Sequence, residues 1–388
     1  MTTVEPIRDE KTFLKLKSEW NALSETSEYP NVFTRWDWQS IWWKWFGKNF
    51  EPFILLVRRE TNNELIGIVP FYRNRRALPF FFGQKHLNLI GYGGMTCPEY
   101  LGPIIRKGCI AEVVDATIAF LKVHPTEWGS IFFEDYDRND PATSALAEAL
   151  KKNFASRSGP GETRLTVTLT GDYDTYMQTL SYNSRRQRRK RFNQAQTRFG
   201  ARIEFPGVED LDRVFPVLVD LTTAARTRHG QTNPFHEKAY AGFHRELLEK
   251  LLPQNQAVLA MLYLNEKPAA VWYCFLLGRK CYAYQQGFSP EFEGSPSDVC
   301  QQFLIRKLTE EHYEEFDYLR GREPYKDSCA NSSRKTQWLF VFQHRGIAYW
   351  SRFLLDDIAR PIWRKIKEIF SSQKKNPRNR PEDPAPIA

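Results

Sequence analysis

The sequence predicts an α/β fold, with mixed sheets flanked by helices, in which one structural unit occurs twice. Segments 54–69 and 258–271 share the order apolar strand, Asn/Glu turn and return strand, and each follows helical patterns. A weaker echo relates the apolar and acidic strands at 131–135 and 315–318. At 388 residues the chain is also too long for one ordinary core, so two domains are expected.

Residues 1–165 form the first predicted domain. Apolar side chains recur at helical spacing in 11–23 and, as a run of aromatics, in 36–46. The elements expected after them are a hairpin (53–58 and 65–72), a strand (86–91), a helix (110–123), a strand (130–135) and a helix (142–154).

Residues 166–345 form the second predicted domain, which repeats this order. The expected elements are helices at 211–226 and 237–252, strands at 257–264, 269–277 and 281–286, a helix at 298–311 and a strand at 315–319.

Residues 346–388 are predicted to form an amphipathic helix and a disordered polar tail. Apolar residues keep helical spacing from Tyr349 to Phe370, with basic residues on the other side and Pro361 as an interruption. Such a helix either packs on its own domain or lies on an anionic membrane surface.

Composition predicts a soluble protein of the reducing cytoplasm. No apolar run approaches the roughly 18 residues that would span a bilayer. The acidic first eleven residues do not resemble a signal peptide. The six cysteines form no regular framework and the seven histidines lack metal-ligand spacing, so neither a disulfide scaffold nor a metal site is expected.

The net charge of +9 is concentrated in one segment. Residues 175–203 contain no acid and eight basic residues: Arg185, Arg186, Arg188, Arg189, Lys190, Arg191, Arg198 and Arg202. A helix is predicted over 181–199, anchored by Phe192, Ala195 and Phe199. It either binds the phosphates of tRNA, a nucleotide or an acidic carrier, or is a solvated helix joining the domains. Sequence-specific DNA binding is not expected, because no nucleic-acid-binding motif accompanies it.

The loop 287–298 lies between a predicted strand and a predicted helix. A helix N-terminus offers free backbone N–H groups, so this loop is a candidate site for a phosphate or pyrophosphate. The residues assigned to it are Gly287, Gly294, Ser295 and Ser297. Asp298 would instead stabilise the helix and repel an anion, and a capped helix is the alternative.

A turn after the strand 315–319 carries six ionisable residues: Asp317, Arg320, Arg322, Glu323, Tyr325 and Lys326. Such crowding is typical of a cleft, where contacts tune protonation, although a solvated loop with ion pairs is the alternative. Arg228 and His229 end a predicted helix, where they either border this cleft or oppose the helix dipole.

The second domain resembles the CelD/BcsL-type acetyltransferases of bacterial cellulose biosynthesis. This family is a branch of the GNAT superfamily related to Fem-type peptidoglycan aminoacyltransferases. The resemblance rests on Gly287-Phe288-Ser289-Pro290, Ser295-Pro296, Asp317-Tyr318-Leu319-Arg320-Gly321 and Tyr325-Lys326, in the family's order and spacing. It implies a duplicated GNAT-like fold. It also implies acyl transfer from a thioester, such as acetyl-CoA, to an amine or hydroxyl of a sugar or envelope-polysaccharide precursor.

The resemblance also suggests roles for the turn. Asp317 or Glu323 would be the general base and Tyr325 the acid or orienting group, while Arg320 and Lys326, with Arg228 and His229 nearby, would bind an anionic substrate or donor.

The chain departs from the family pattern in the loop 287–298, which we call the donor loop. Ser297 replaces the family's glycine after Ser-Pro, and the Q/R-x-x-G-x-G/A motif is absent. An acyl carrier protein or aminoacyl-tRNA therefore stays open as the donor carrier. The alternatives are a tRNA-dependent Fem-like transferase and a non-catalytic scaffold in polysaccharide assembly, with contact to a polysaccharide synthase or the inner membrane surface.

Overall fold

The computed structural model describes residues 1–74, 85–228, 230–321, 323–346 and 350. The helices in these ranges are α1 (Glu10–Leu14), α2 (Lys17–Glu25), α3 (Trp36–Phe46), α4 (Ile110–Val123), α5 (Pro141–Asn153), α6 (Tyr173–Thr179), α7 (Tyr182–Phe199), α8 (Leu211–Arg228), α9 (Lys238–Leu251), α10 (Pro296–Glu310) and α11 (Pro324–Asp327). The strands are β1 (Thr2–Ile7), β2 (Phe50–Arg59), β3 (Leu65–Asn74), β4 (His86–Leu89), β5 (Ile104–Ile105), β6 (Ser130–Asp137), β7 (Ala155–Thr168), β8 (Arg202–Glu204), β9 (Ala257–Leu264), β10 (Lys267–Leu277), β11 (Lys280–Phe288), β12 (Glu315–Asp317) and β13 (Ser332–Phe342).

All these strands belong to one mixed sheet. Their order is β1-β2-β3-β4-β6-β13-β7-β12-β11-β10-β9-β8, with β5 beside β3. Two pairs are parallel, β4 with β6 and β11 with β12. Within each pair the second strand follows a helix, α4 or α10, because a parallel connection needs a crossover. The set β1-β2-β3-β4-β6 thus has the same order as β8-β9-β10-β11-β12, and the predicted duplicated unit is confirmed.

The two units exchange their last strands. β7 follows the first unit in the chain but pairs with β12 of the second, whereas β13 ends the second unit and pairs with β6 of the first. β7 and β13 also pair with each other, so they form the middle of the sheet. The predicted boundary at residue 165 falls inside β7, and the division into two domains stays a prediction.

Alternation along β9 and β10 places helices on both faces of the second unit. Tyr273 and Phe275 join a core that includes residues of α8 and α9. Trp272 and Cys274 join the other core, with residues of α6, α7 and α10. Because successive side chains of a strand point to opposite faces, α8 and α9 lie on one face and α7 and α10 on the other.

The aromatic helix α3 connects the two halves, and its prediction at 36–46 is confirmed. Its Trp38 ring lies 5.1 Å from the Phe243 ring of α9, centre to centre. Trp45 donates a 2.8 Å hydrogen bond to Glu246 of the same helix. A Cβ atom at Gly242 would overlap the Trp45 ring, so glycine permits this close approach.

Other predicted elements agree with the structure within a few residues, with three exceptions. The helix expected at 11–23 is two helices, α1 and α2. The strands β1, β5, β7, β8 and β13 and the short helices α6 and α11 were not predicted. Apart from Gly346 and Trp350, the predicted amphipathic helix and tail lie outside the described residues. No helix in the described ranges has both the length and the apolar character needed to span a bilayer.

Candidate active site

The strands β11 and β12 separate soon after they meet. Their parallel pairing covers three residue pairs, from Lys280 with Glu315 to Tyr282 with Asp317. β11 then continues to Phe288, while the chain turns away after Asp317, where Leu319 has a left-handed φ of 54°. Beyond Tyr282, β11 has no partner strand on this side among the described residues, and we call the gap beside this edge the opening.

Gln286 of β11 connects the two regions that the sequence singled out. Its Nε2 donates a 2.8 Å hydrogen bond to the Tyr325 hydroxyl of α11. Its Oε1 accepts a hydrogen bond from the Ser297 hydroxyl at the start of α10. The start of α10 and the turn at 320–326 thus meet at the edge of the opening.

The turn before Tyr325 is closed by Lys326. Its Nζ donates to the backbone carbonyls of Tyr318, Arg320 and Gly321 at 3.3, 2.9 and 3.2 Å. It also pairs with Glu323 at 2.7 Å. Lys326 is buried, so its predicted contact with a substrate does not match its surroundings. Its charge instead holds the turn that carries Tyr325.

Tyr325 is held in its neutral form. Burial, with a smaller contribution from the Glu323 charge, raises the pKa of its hydroxyl well above the usual range. The hydroxyl accepts from Gln286, and its own proton has no acceptor among the described residues. A neutral phenol with a free proton is suited to donating a hydrogen bond or a proton.

The N-terminus of α10 is largely occupied by the chain itself. Ser295 adopts a left-handed φ of 58°, and its carbonyl accepts from the N–H groups of Asp298 and Val299 at 3.0 and 3.3 Å. Pro296 has no N–H. The first turn thus offers the N–H of Ser297 but not the several free N–H groups of a typical phosphate site.

Asp298 is bound to the basic helix. Its carboxylate lies 2.7 Å from Nη1 of Arg188 and 3.4 Å from Nη1 of Arg191. Arg188 is only 2% exposed and also contacts Gln301 and Cys329. The helix predicted over 181–199 is confirmed, but Arg188 belongs to its packing against α10, beside the predicted anchors.

A pocket of about 90 Å³ lies between α7 and the donor loop. Its lining includes Arg191, Arg198, Glu293, Gly294 and Pro296. The two guanidinium groups make the pocket suited to an anion, with the Glu293 carboxylate opposing part of their charge.

The other predicted acids and cations of the turn have different surroundings. Asp317 is fully buried, pairs with Arg334 at 2.6 Å and accepts from the Tyr100 hydroxyl at 2.8 Å. Arg320 pairs with Glu99 at 3.0 Å and with Glu134 at 3.2 Å. These groups are engaged in ion pairs. Burial raises the pKa of Asp317, but the charge of Arg334 opposes that shift.

Three further predicted residues, Glu323, Gly287 and Arg228, are among the described residues. Glu323 is exposed, with Lys326 as its ion-pair partner. A Cβ atom at Gly287 would lie 2.5 Å from the backbone of α8, so this glycine permits strand–helix packing on the face opposite α10. Arg228 is exposed at the end of α8 without a hydrogen bond or ion pair to any described residue. His229 and Arg322 lie outside the described residues.

Gln286 was not among the predicted site residues. Gln285 and Gln286 form a polar pair at the end of an otherwise apolar strand, and this was the available signal. Gln285 faces the other side of the sheet, where its Nε2 donates to the Tyr240 hydroxyl of α9 at 3.0 Å. The opening is therefore bordered by polar groups on both faces.

Comparison with known proteins agrees with this geometry. Residues 181–327, which include the donor loop, α10 and the turn, match the family profile of the acetyltransferase (GNAT) domain. The chain matches none of the curated proteins with which it was compared.

Three solved structures share the fold at low sequence identity. FemX has 10% identity and a TM-score of 0.60, with 84% of this chain and 96% of FemX covered. L-PGS from Bacillus licheniformis has 12% identity and a TM-score of 0.52, with coverages of 85% and 93%. The C-terminal domain of a proposed lysylphosphatidylglycerol synthetase from Agrobacterium fabrum has 11% identity and a TM-score of 0.51, with coverages of 82% and 90%.

The fold and the matched region agree with each other. The protein has a GNAT-type acyltransferase fold, as the sequence predicted. The matches concern the wider GNAT group, and the narrower resemblance to the CelD/BcsL type stays a prediction.

Proposed function

We propose that this protein is an acyltransferase whose reaction takes place where β11 and β12 separate. The observation that carries the proposal is the position of the Tyr325 hydroxyl. It lies at the edge of the opening, 2.8 Å from Gln286, and Gln286 in turn contacts the first turn of α10. A neutral phenol thus stands beside an unpaired strand edge inside the matched acetyltransferase region.

The residues around the opening suit direct transfer from a thioester. The acceptor amine or hydroxyl attacks the acyl carbon, and the C–S bond breaks as the new C–N or C–O bond forms. Backbone N–H groups along the free edge of β11 would stabilise the oxyanion that develops. Tyr325 would give its proton to the leaving thiolate, and Glu323, the exposed carboxylate of the turn, would take the acceptor's proton directly or through a water.

The start of α10 limits where the phosphates of a donor can bind. The N-terminus of α10 does not fit a pyrophosphate while Asp298 and the Ser295 carbonyl occupy it. If acyl-CoA is the donor, we propose that its phosphates bind the pocket beside Arg191 and Arg198.

We propose a sugar or an envelope-polysaccharide precursor as the acceptor, in the cytoplasm or at the inner membrane surface. This part rests on the resemblance of residues 287–326 to the CelD/BcsL type. The polar groups on the α9 side of the opening, Gln285 and Tyr240, would then lie on the acceptor's route.

Aminoacyl-tRNA-dependent transfer is the second candidate function, and the surface of α7 favours it. Arg186, Arg189 and Lys190 are exposed, lie on one face of the helix and have no acidic partner among the described residues. They lie on the helix that borders the donor loop, where a polyanionic carrier would dock. An acyl carrier protein would use the same cations.

A mass-spectrometric screen tests these proposals. Acetyl-CoA, acetylated acyl carrier protein and aminoacyl-tRNA would be incubated separately with a pool of nucleotide sugars and amino sugars. We expect one donor to give an acylated product, and Tyr325→Phe to reduce its formation by about 100-fold, the lower range for proton-transfer catalysis. Tyr136→Phe is the matched control, because Tyr136 of β6 is also buried and also bonded to a glutamine, Gln337 of β13.

Two outcomes would contradict the proposal. Full activity of Tyr325→Phe would place the chemistry elsewhere. No product from any donor with the unmodified protein would favour a scaffold role.

A further inference from the structure

The consecutive residues Gln285 and Gln286 make the same kind of contact on opposite faces of the sheet. Gln285 donates to the Tyr240 hydroxyl at 3.0 Å, on the side of α8 and α9. Gln286 donates to the Tyr325 hydroxyl at 2.8 Å, on the side of α10. Gln286 therefore lies at the candidate site, and Gln285 provides a chemically identical residue for comparison.

The amide of Gln286 is fixed at both ends. Its Oε1 accepts from the Ser297 hydroxyl, and its Nε2 donates to Tyr325. Ser297 is itself held, because its carbonyl accepts a 2.9 Å hydrogen bond from the indole of Trp272. Trp272 lies directly opposite Gln286 on the neighbouring strand β10.

The direction of these hydrogen bonds decides what Tyr325 can do. With the Gln286 N–H directed at its oxygen, the phenol acts as an acceptor toward the protein. Its own proton is then free to point into the opening, where no described residue accepts it. If the amide were reversed, Oε1 would accept that proton and the phenol would be unavailable to a substrate.

We propose that Gln286 is a positioning residue, anchored by Ser297, that fixes Tyr325 as a hydrogen-bond donor into the opening. This inference rests on the proposed function and adds a residue to it. Gln286 acts through Tyr325 and need not touch the substrate.

Hydrogen bonding of Tyr325 can be measured without any substrate. The full-length protein would be labelled with 13Cζ-tyrosine, and the Tyr325 signal assigned as the one missing in Tyr325→Phe. We expect Gln286→Leu and Ser297→Ala to shift the Tyr325 signal, because each breaks the chain of hydrogen bonds. Gln285→Leu is the matched control and should shift the Tyr240 signal while leaving that of Tyr325 in place. An unshifted Tyr325 signal in Gln286→Leu would overturn the proposal.

The role of this contact in catalysis can be tested by measuring the kinetics of the acyl transfer that the screen identifies. Gln286→Leu should lower kcat by about tenfold, the consequence of losing one hydrogen bond at the transition state, with the donor KM unchanged. Gln286→Glu gives a sharper signature, because a carboxylate accepts where the amide donates. Its kcat should be low at neutral pH and rise as acid protonates the new carboxyl, which can then donate to Tyr325.

The outcomes separate this inference from the proposed function. In one outcome, the unmodified protein transfers an acyl group while Gln286→Leu and Gln286→Glu are as active as it is at every pH. That result would overturn the role of Gln286 alone. A wild-type protein without transfer would overturn the function and this role together.

Discussion

Arg164 and Arg334 lie directly opposite each other on the neighbouring strands β7 and β13. Two adjacent guanidinium groups would repel each other in a sheet interior, but each is matched by buried acids. Arg164 pairs with Glu99 at 2.9 Å, and Arg334 pairs with Asp137 and Asp317 at 2.9 and 2.6 Å. Because removing one partner of a buried pair is costly, these charges help to fix the register of the exchanged strands.

Replacing Asp317 should destabilise the protein. Asp317→Asn removes one of three carboxylates that pair with buried Arg334 and is expected to lower the free energy of unfolding by about 2 kcal/mol. Urea denaturation measures the change. Glu310→Gln is the control, because this exposed carboxylate has no ion-pair partner among the described residues and should change stability by less than about 0.5 kcal/mol. Unchanged stability of Asp317→Asn, combined with lost activity, would instead return Asp317 to the role of base.

Removing the charge of Lys326 should loosen the turn that carries Tyr325. Lys326→Met leaves three carbonyls without their charged donor and should lower the free energy of unfolding by about 3 kcal/mol. Exposed Lys335 on β13 provides the control substitution, Lys335→Met. Equal stability of the two variants in urea would show that the three contacts of the Lys326 ammonium do not hold the turn.

The buried His244 should make stability depend on pH. Aromatic rings surround it, and burial lowers the pKa of its imidazole well below 6.5. Below that pH the unfolded chain binds a proton that the folded state refuses. The free energy of unfolding should therefore fall as the pH decreases from about 6.5, by up to about 1.4 kcal/mol per pH unit.

Urea denaturation at several pH values tests this expectation. His244→Phe should remove most of the decrease in stability, whereas His236→Gln, at an exposed position, should leave it in place. An identical pH dependence in His244→Phe and the unmodified protein would assign the effect to other groups.

Replacing Asp298 should lower stability and strengthen anion binding. Asp298→Asn leaves Arg188 buried without its carboxylate, so the melting temperature in buffer should fall. The same change removes the carboxylate beside Arg191, which also lines the pocket between α7 and the donor loop, so this guanidinium becomes available to an anion. Added pyrophosphate or CoA should therefore raise the melting temperature of Asp298→Asn more than that of the unmodified protein. Equal ligand-induced shifts in a thermal melt would show that Asp298 does not block an anion site.

The exposed cations of α7 should affect polyanion binding and not stability. Changing Arg186, Arg189 and Lys190 to glutamine should weaken tRNA binding and reduce the slope of log affinity against log salt by about 2, or about 0.7 per phosphate contact. Changing Lys11, Lys15 and Lys17, which are also exposed, is the matched control. A slope that both triple variants share would indicate binding by overall charge.

Most of the fold could be predicted because the apolar residues of most helices and strands recur with a period typical of one kind of element. The hairpins of β2–β3 and β9–β10 and the helices α4, α8 and α9 have apolar patterns that match one structure. The central strands lack such a pattern. β7 contains Gly159, Pro160 and Gly161 together with Arg164, and it is stabilised by neighbours and by acids that are distant in the sequence.

Part of the candidate site could be predicted because some of its residues stand in short local motifs, whereas others depend on partners that are distant in the sequence. Tyr325, Glu323 and Ser297 stand in local motifs that a sequence displays. The role of Gln286 depends on two residues, 11 and 39 positions away, that only the folded sheet brings to it. Likewise, Arg188 resembles its solvated neighbours in the sequence, and only packing against α10 distinguishes it.

The strand exchange has a consequence for biosynthesis. β6 is made early, but its neighbour β13 is the last of the described strands to be made. Until then the first half presents a bare backbone edge, the kind of surface on which nascent chains associate with one another. We therefore expect this protein to depend on chaperones during translation more than a protein of equal length with two self-contained halves.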